Sequence, residues 1–435
     1  MVILDERHGK TASSIAFAGS TKAGAMHDEK GRFGTAEMVA RLLNRGTESG
    51  LTSSEVSDRV EELGATLQFS NYDESVGFTA RCHARNGGRL LEILADCLAN
   101  PSFPGEEVEK TRAEVIANLE EERDETRTTA YRELAALVFG REKPYGRNTL
   151  GSLQDIKRLT REELKAFHEA HYSPDSTILV ATGSFDSAEL LAAVEDSLGG
   201  LTRPKSRKSG GDGKRASAAS AEEPGGGEAS AQLVKVPMEH KSQVDLALGS
   251  RAVPRTSEEF YALNLGNLML GRIGLYGRLG KNVRDEKGLA YYCYSMIQAR
   301  LYAGSFAVYA GVNPINVTRA VEGITRELQR MCSEPLSEQE MSTARRNLTG
   351  TLSIALESSN ERATLIHDME YFGLGLDYLD RYGSILESVT PERVMRLFDK
   401  YCNLDLISLV GTGPVGSSKI VLPKEIAPSL GSMNA

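Results

Sequence analysis

The sequence predicts an α+β chain made of two homologous α/β-sandwich domains, an internal duplication joined by a flexible linker. Three observations carry that prediction. The chain has 435 residues, 40% of them hydrophobic, which is more than one ordinary core needs and suits two domains. A low-complexity stretch interrupts it near the middle. A helix-to-strand unit also recurs at a constant offset. Thr160-Arg161-Glu162 opens a helix leading to Leu179-Val180-Ala181-Thr182-Gly183, and Thr390-Pro391-Glu392 opens one leading to Leu409-Val410-Gly411-Thr412-Gly413. The spacing agrees at both ends, since 390 − 160 = 230 and 409 − 179 = 230.

The elements follow the same order in each half. A helical stretch over 36–44 has its counterpart at 258–270, and a strand pair follows each. Helices are expected next at 90–99 and 317–331, then long charged helices at 106–123 and 338–357. Local signals support these assignments. Thr52-x-x-Glu55 is a capping box, Val56, Val60 and Leu63 share one helix face, and Gly64 ends the run. Val76, Phe78, Ala80 and Cys82 alternate with Gly77, Thr79 and Arg81, the pattern of a half-buried strand. Leu90, Leu91, Leu94, Cys97 and Leu98 return to helical spacing before Pro101. Between 203 and 231 the chain is mostly Pro, Ser, Gly, Ala, Lys, Arg and Glu, with too little apolar surface to offset its ordering entropy. The expected domains are therefore 1–202 and 232–435, with 203–231 as the linker.

Composition excludes several functions. The net charge of −9 argues against a general nucleic-acid binder, and no apolar run reaches membrane-spanning length. The short apolar start at Val2-Ile3-Leu4 is broken at once by Asp5, Glu6 and Arg7, so a cytoplasmic location is expected. Five Cys at 82, 97, 293, 332 and 402 form no C-x-x-C, which reads as reduced thiols. Seven His are few for a metalloenzyme. His168 and His171 stand at chelating spacing, but no third ligand is evident near them and they read as structural.

Several motifs then carry a resemblance. They are Gly271-x-x-Gly274-x-x-Gly277-Arg278-Leu279, Val283-Arg284-Asp285-Glu286-Lys287-Gly288-Leu289-Ala290-Tyr291, Lys143-Pro144-Tyr145-Gly146-Arg147 and His171-Tyr172-Ser173-Pro174-Asp175. With the duplication, they resemble the pitrilysin/insulinase family of inverted-motif zinc peptidases, to which mitochondrial processing peptidase belongs. Active members carry H-x-x-E-H on the first long helix. The resemblance puts Glu37 and Arg41 at the two His positions and Ala40 at the general base, within Gly34-Thr35-Ala36-Glu37-Met38-Val39-Ala40-Arg41. An arginine cannot ligate zinc and an alanine cannot accept a proton. The third ligand's register falls near Ala117-Asn118. No metal is therefore expected in this chain. Glu37 and Arg41 are instead spaced as a helix ion pair.

The family also uses an Arg and a Tyr seven residues apart to hold the peptide backbone and stabilise the oxyanion. Arg284 and Tyr291 match that pair (291 − 284 = 7). Tyr292 and Tyr294 stand beside it, so a one-residue register change would swap the tyrosine. Gly271, Gly274 and Gly277 flank the peptide in the family and are expected to serve substrate binding. The resemblance implies a non-zinc subunit of a heterodimeric peptidase acting on peptide or unfolded polypeptide. Zn and the general base would come from a zinc-bearing paralogous partner, with metalloendopeptidase activity only in the complex. The alternative is an inactive scaffold or assembly protein of the same fold, like the core subunits of the mitochondrial cytochrome reductase.

Overall fold

A computed structural model of the chain describes residues 1–7, 13–199, 201, 231–272 and 277–415. Apart from Ala231, the expected linker at 203–231 lies outside the described residues. The chain forms two compact units. The first takes its described residues from Met1–Glu120, Asn148–Ala218 and Leu352–Leu376, the second from Glu121–Arg147, Ala219–Thr351 and Asp377–Ala435.

The first unit holds β1 (Val2–Glu6), β2 (Ser14–Thr21), β3 (Thr66–Asn71), β4 (Val76–His83) and β5 (Thr177–Gly183) in the order β1-β5-β2-β4-β3. The second holds β6 (Leu233–Pro237), β7 (Val244–Ala252), β8 (Ala290–Ala299), β9 (Gly304–Val312) and β10 (Ser408–Gly413) in the order β6-β10-β7-β9-β8. In each sheet one pair is parallel and the rest are antiparallel. The repeat extends to register. Leu179 faces Val2 and Gly19, and its counterpart Leu409 faces Leu233 and Leu248. The duplication read from the sequence is thus a duplication of topology.

Alternation along the strands gives each sheet two buried faces. In the first unit Ile15, Phe17, Phe78 and Leu179 pack under helices Thr35–Leu42, Gly87–Ala99 and Arg161–His171. On the opposite face Ala16, Ala18 and Val180 receive Ala363 and Ile366 from helix Ser359–Tyr371. Small strand side chains let that helix approach closely, and Arg362 clamps it by pairing with Asp5 of β1 at 2.5 Å.

The second unit repeats this sandwich. Leu246, Leu248, Phe306 and Val308 pack under helices Val317–Ser333 and Pro391–Cys402. Ala247, Ala307, Tyr309 and Val410 pack under Ala130, Leu134 and Val138 of helix Thr126–Phe139. Each unit therefore includes a helix from the other half of the sequence. The sequence ranges 1–202 and 232–435 and the compact units differ by this reciprocal exchange.

Candidate functional site

Helix Thr35–Leu42 starts at Gly34, whose φ of +100° is a conformation that favours glycine. The buried carboxylate of Asp28 accepts from the N–H groups of Gly34 (2.7 Å) and Ala36 (2.9 Å), satisfying donors that a helix start leaves open. Glu37 is 7% exposed and Ala40 2% exposed. Arg41 Nε donates to Glu37 Oε1 at 2.6 Å. The long helix Gly105–Asp124 brings Asn118 to the same guanidinium. With its oxygen turned to Arg41, the Asn118 amide accepts from Nη2 at 3.0 Å and Nη1 at 3.3 Å, and its nitrogen donates to the Glu114 carbonyl. Glu37, Arg41 and Asn118 therefore meet as an ion pair closed by an amide. One helix turn along, Arg45 reaches Glu107 (3.5 Å) and Glu114 (3.4 Å). Among the described residues no group of three His, Cys, Asp or Glu side chains is arranged to hold a metal ion.

In the second unit Arg284 lies on a π-helical turn, Gly280–Glu286, and Tyr291 lies near the start of β8. Two anchors hold the turn. Val283 is fully buried, and Arg278 forms a two-pronged pair with Glu340 (Nε–Oε1 and Nη2–Oε2, both 3.0 Å) on helix Glu338–Ala355. The Arg284 carbonyl accepts from Gly288 N–H at 2.9 Å, and Leu289 N–H donates to the Val283 carbonyl, which turns the chain into β8. The Arg284 guanidinium is half-exposed, with only a long 3.9 Å approach to Asp285.

β8 opens with an irregularity against β9. Ala290 faces Val312 and Tyr292 faces Gly311, so Tyr291 is the extra residue of a bulge. A bulge re-aims a side chain that regular pairing would hold in the pleat. Tyr291 is 63% exposed and its hydroxyl makes no hydrogen bond among the described residues. Its neighbours are committed elsewhere. The Tyr292 hydroxyl donates to Asp245, which is 1% exposed and also accepts from Thr126 Oγ1 (2.5 Å) and Gln243 Nε2 (2.9 Å). Burial, then the bond to Asp245, pushes the Tyr292 phenol far above its ordinary range. Gly311 makes room for that ring, because a Cβ there would lie 2.4 Å from Tyr292 Cε1. Tyr294 accepts from Arg127 Nη2 at 2.8 Å, and the same guanidinium sits 4.8 Å from the Tyr292 ring centroid. Of the three tyrosines, the one in family register carries the free phenol.

Gly271 and Gly277 serve close packing in this structure. A Cβ on Gly271 would lie 2.7 Å from Ser295 N, and one on Gly277 would lie 2.8 Å from Gly271 Cα. Gly274 lies outside the described residues. His168 is a core residue whose Nε2 donates to the Leu98 carbonyl at 2.8 Å. His171 packs against His27 with ring centroids 4.9 Å apart and the rings tilted by 43°. Nothing in the sequence pointed to Asp245, Arg127 or Glu340, or to the Glu340 partner of Arg278, because each contact joins residues far apart in sequence.

Two sandwiches of identical strand order define a duplicated two-domain α+β architecture. Residues 1–152 match the insulinase (peptidase family M16) model, and residues 158–348 match the peptidase M16 inactive domain. The chain belongs to peptidase family M16. It is 25% identical over 419 residues to an uncharacterised zinc protease of Mycobacterium leprae, covering 94% of this chain and 86% of that one. It is 24% identical over 423 residues to the mitochondrial-processing peptidase subunit beta of Blastocladiella emersonii, covering 93% and 86%. The fold matches a solved peptidase M16 inactive domain from Pseudomonas fluorescens (TM-score 0.84, 22% identity, 96% of each chain). It also matches a solved protease from Helicobacter pylori (TM-score 0.85, 20% identity, 95% of this chain and 96% of that one). Among the described residues no helix is long and apolar enough to cross a membrane.

Proposed function

We propose that this chain is the non-zinc subunit of a heterodimeric M16 peptidase, supplying Arg284 and Tyr291 to a site whose zinc and general base belong to a paralogous partner. The observation that carries the reading is the pair's own geometry: a half-exposed guanidinium on an anchored turn, and a free phenol lifted out of the sheet by a bulge. A guanidinium offers a rigid fork of donors to backbone carbonyl oxygens of a bound peptide. A phenol donates to negative charge developing on the scissile carbonyl. Gly271 and Gly277 fit this reading as close-packed backbone, and Gly274 is assigned to the same segment by sequence alone.

The residues at the family's zinc position do not suit a metal. Arg41 brings a permanent positive charge there, Glu37 is already paired with it, and Ala40 has no basic atom. No catalytic step in this chain therefore runs through zinc. Loss of those positions alongside a free Arg/Tyr pair is the pattern that divided labour between two subunits predicts. Similarity to a mitochondrial-processing peptidase subunit supports the same reading.

The test is to purify the chain alone and mixed with an H-x-x-E-H paralogue from the same genome, and to follow cleavage of a quenched unstructured peptide. Activity is expected only in the mixture, with Arg284→Ala or Tyr291→Phe lowering it about 10- to 1,000-fold. A tight complex without hydrolysis, or activity indifferent to both substitutions, would favour the scaffold reading. Stoichiometric zinc in the purified chain would contradict the assignment of Glu37, Ala40 and Arg41.

A further inference from the structure

A small cleft of about 170 Å³ lies against the loop that joins Arg284 to Tyr291. Lys287 and Leu289 of that loop line one side. Arg319, Glu322, Gly323 and Arg326 of helix Val317–Ser333 line the other. The four helix positions are spaced i, i+3, i+4 and i+7, so they form one face. Three cations thus converge on one carboxylate. Lys287, Arg319 and Arg326 make no side-chain hydrogen bond or ion pair among the described residues, and Glu322 makes none either. Arg278, by contrast, is paired with Glu340, and Arg330 with Glu327 and Glu334. Arg319 also sits in the first turn of its helix, where the macrodipole adds positive potential. With one carboxylate against three cations the cleft keeps a net positive charge, and a bound anion offsets the remaining repulsion.

Gly323 lines the floor of the cleft. A Cβ there would approach Val283 Cγ2 to 3.4 Å and Lys287 Nζ to 4.0 Å. Val283 is the buried anchor of the Arg284 turn, so the cleft and the peptide-binding pair share one support.

We infer that this cleft is a carboxylate-binding subsite for the peptide held by Arg284 and Tyr291, with Lys287, Arg319 and Arg326 as the recognising groups. The inference rests on the proposed peptide-binding role of that pair. The anion belongs to a polypeptide because the cleft adjoins the pair, and the ordinary anion of a polypeptide is a carboxylate. Its source is an acidic side chain or the C-terminus, which present the same chemistry. Glu322 limits the site's net charge and disfavours a second carboxylate beside the first.

The experiment measures anisotropy of fluorescein-labelled unstructured decapeptides with the full chain. One series moves a single Glu or Gln through each position, and a second compares a free C-terminal acid with its amide. A preference of about three- to tenfold for one acidic position, or for the free acid, is expected at low salt. It should shrink near 0.5 M salt and vanish in Lys287→Gln/Arg319→Gln/Arg326→Gln. Glu322→Gln should enlarge it, a gain that misfolding cannot mimic. Arg284→Ala should weaken every peptide while leaving the ratio intact. A wild-type chain indifferent to charge, or a preference that survives the triple substitution, overturns the subsite. If Arg284→Ala changes no affinity while a triple-sensitive preference persists, the role of the Arg/Tyr pair falls and the anion site stands. Failure of every peptide to bind overturns both.

Discussion

Arg41 donates to Glu37 at 2.6 Å, one turn back on its own helix, and takes the Asn118 amide on its other nitrogens. A buried carboxylate, a partly buried guanidinium and an amide thus satisfy one another. Replacing Arg41 with Leu leaves Glu37 buried without its cation, and a loss of about 1–3 kcal/mol is expected in urea unfolding. The double variant Glu37→Gln/Arg41→Leu should recover part of that loss, because the stranded charge is gone.

The same geometry makes metal binding testable by construction. Asn118 is the residue on the long helix that reaches Arg41, which selects it over Ala117 as the third position. Glu37→His/Ala40→Glu/Arg41→His/Asn118→Glu should therefore take up close to one zinc per chain after dialysis, measured by elemental analysis. The unsubstituted chain should take up none. Zinc uptake without the Asn118 substitution would show that another residue completes the site.

Adjacent tyrosines should separate by phenotype. Tyr291→Phe removes an exposed, unbonded hydroxyl and should shift stability by less than about 0.5 kcal/mol. Tyr292→Phe takes a donor from the buried Asp245 carboxylate and should cost about 1–3 kcal/mol. Thermal melts of the two variants give the comparison directly, and equal stability losses would contradict the bulge geometry.

Gly271→Ala should be strongly destabilising, because the new Cβ would meet the Ser295 backbone nitrogen at 2.7 Å and that strand cannot yield. Gly288→Ala is the informative contrast. It has open space around the position and a φ of +60°, so its cost should be limited to about 1 kcal/mol of backbone strain.

Acid should destabilise the first unit through His171. Burial, and then the neighbouring His27, lower its pKa from 6.5 to about 4. Below pH 6.5 the unfolded chain takes up a proton that folded His171 refuses, so stability falls with pH through that window and levels off near pH 4. His27, lowered by burial and then Lys22, acts in the same direction. Melting temperatures of His171→Asn should show a shallower fall between pH 6.5 and 4 than the wild type, and parallel curves would refute the assignment.

Much was legible in the sequence because its signals are local. The capping box at Thr52 is present as expected, Thr160 opens its helix as expected, and the helices and strands fall within a few residues of their expected bounds. The 230-residue offset is realised as matching strand register. The i, i+4 ion pair of Glu37 and Arg41 needed only one helix to form. The family resemblance singled out Arg284 and Tyr291, but nothing in the sequence announced the bulge that exposes the tyrosine.

By itself, then, the sequence determined the duplication, the α+β class and the helix pair of Glu37 with Arg41. These depend on residue type and short-range periodicity. Tertiary structure alone decided that helices Thr126–Phe139 and Ser359–Tyr371 join the unit built from the other half. It also decided that Asn118 closes on Arg41, that Tyr292 turns in to Asp245 while Tyr291 faces solvent, and that three unpaired cations share one cleft. Each of these joins residues distant in sequence, and which of them meet is settled only when the apolar faces of sheets and helices pack together.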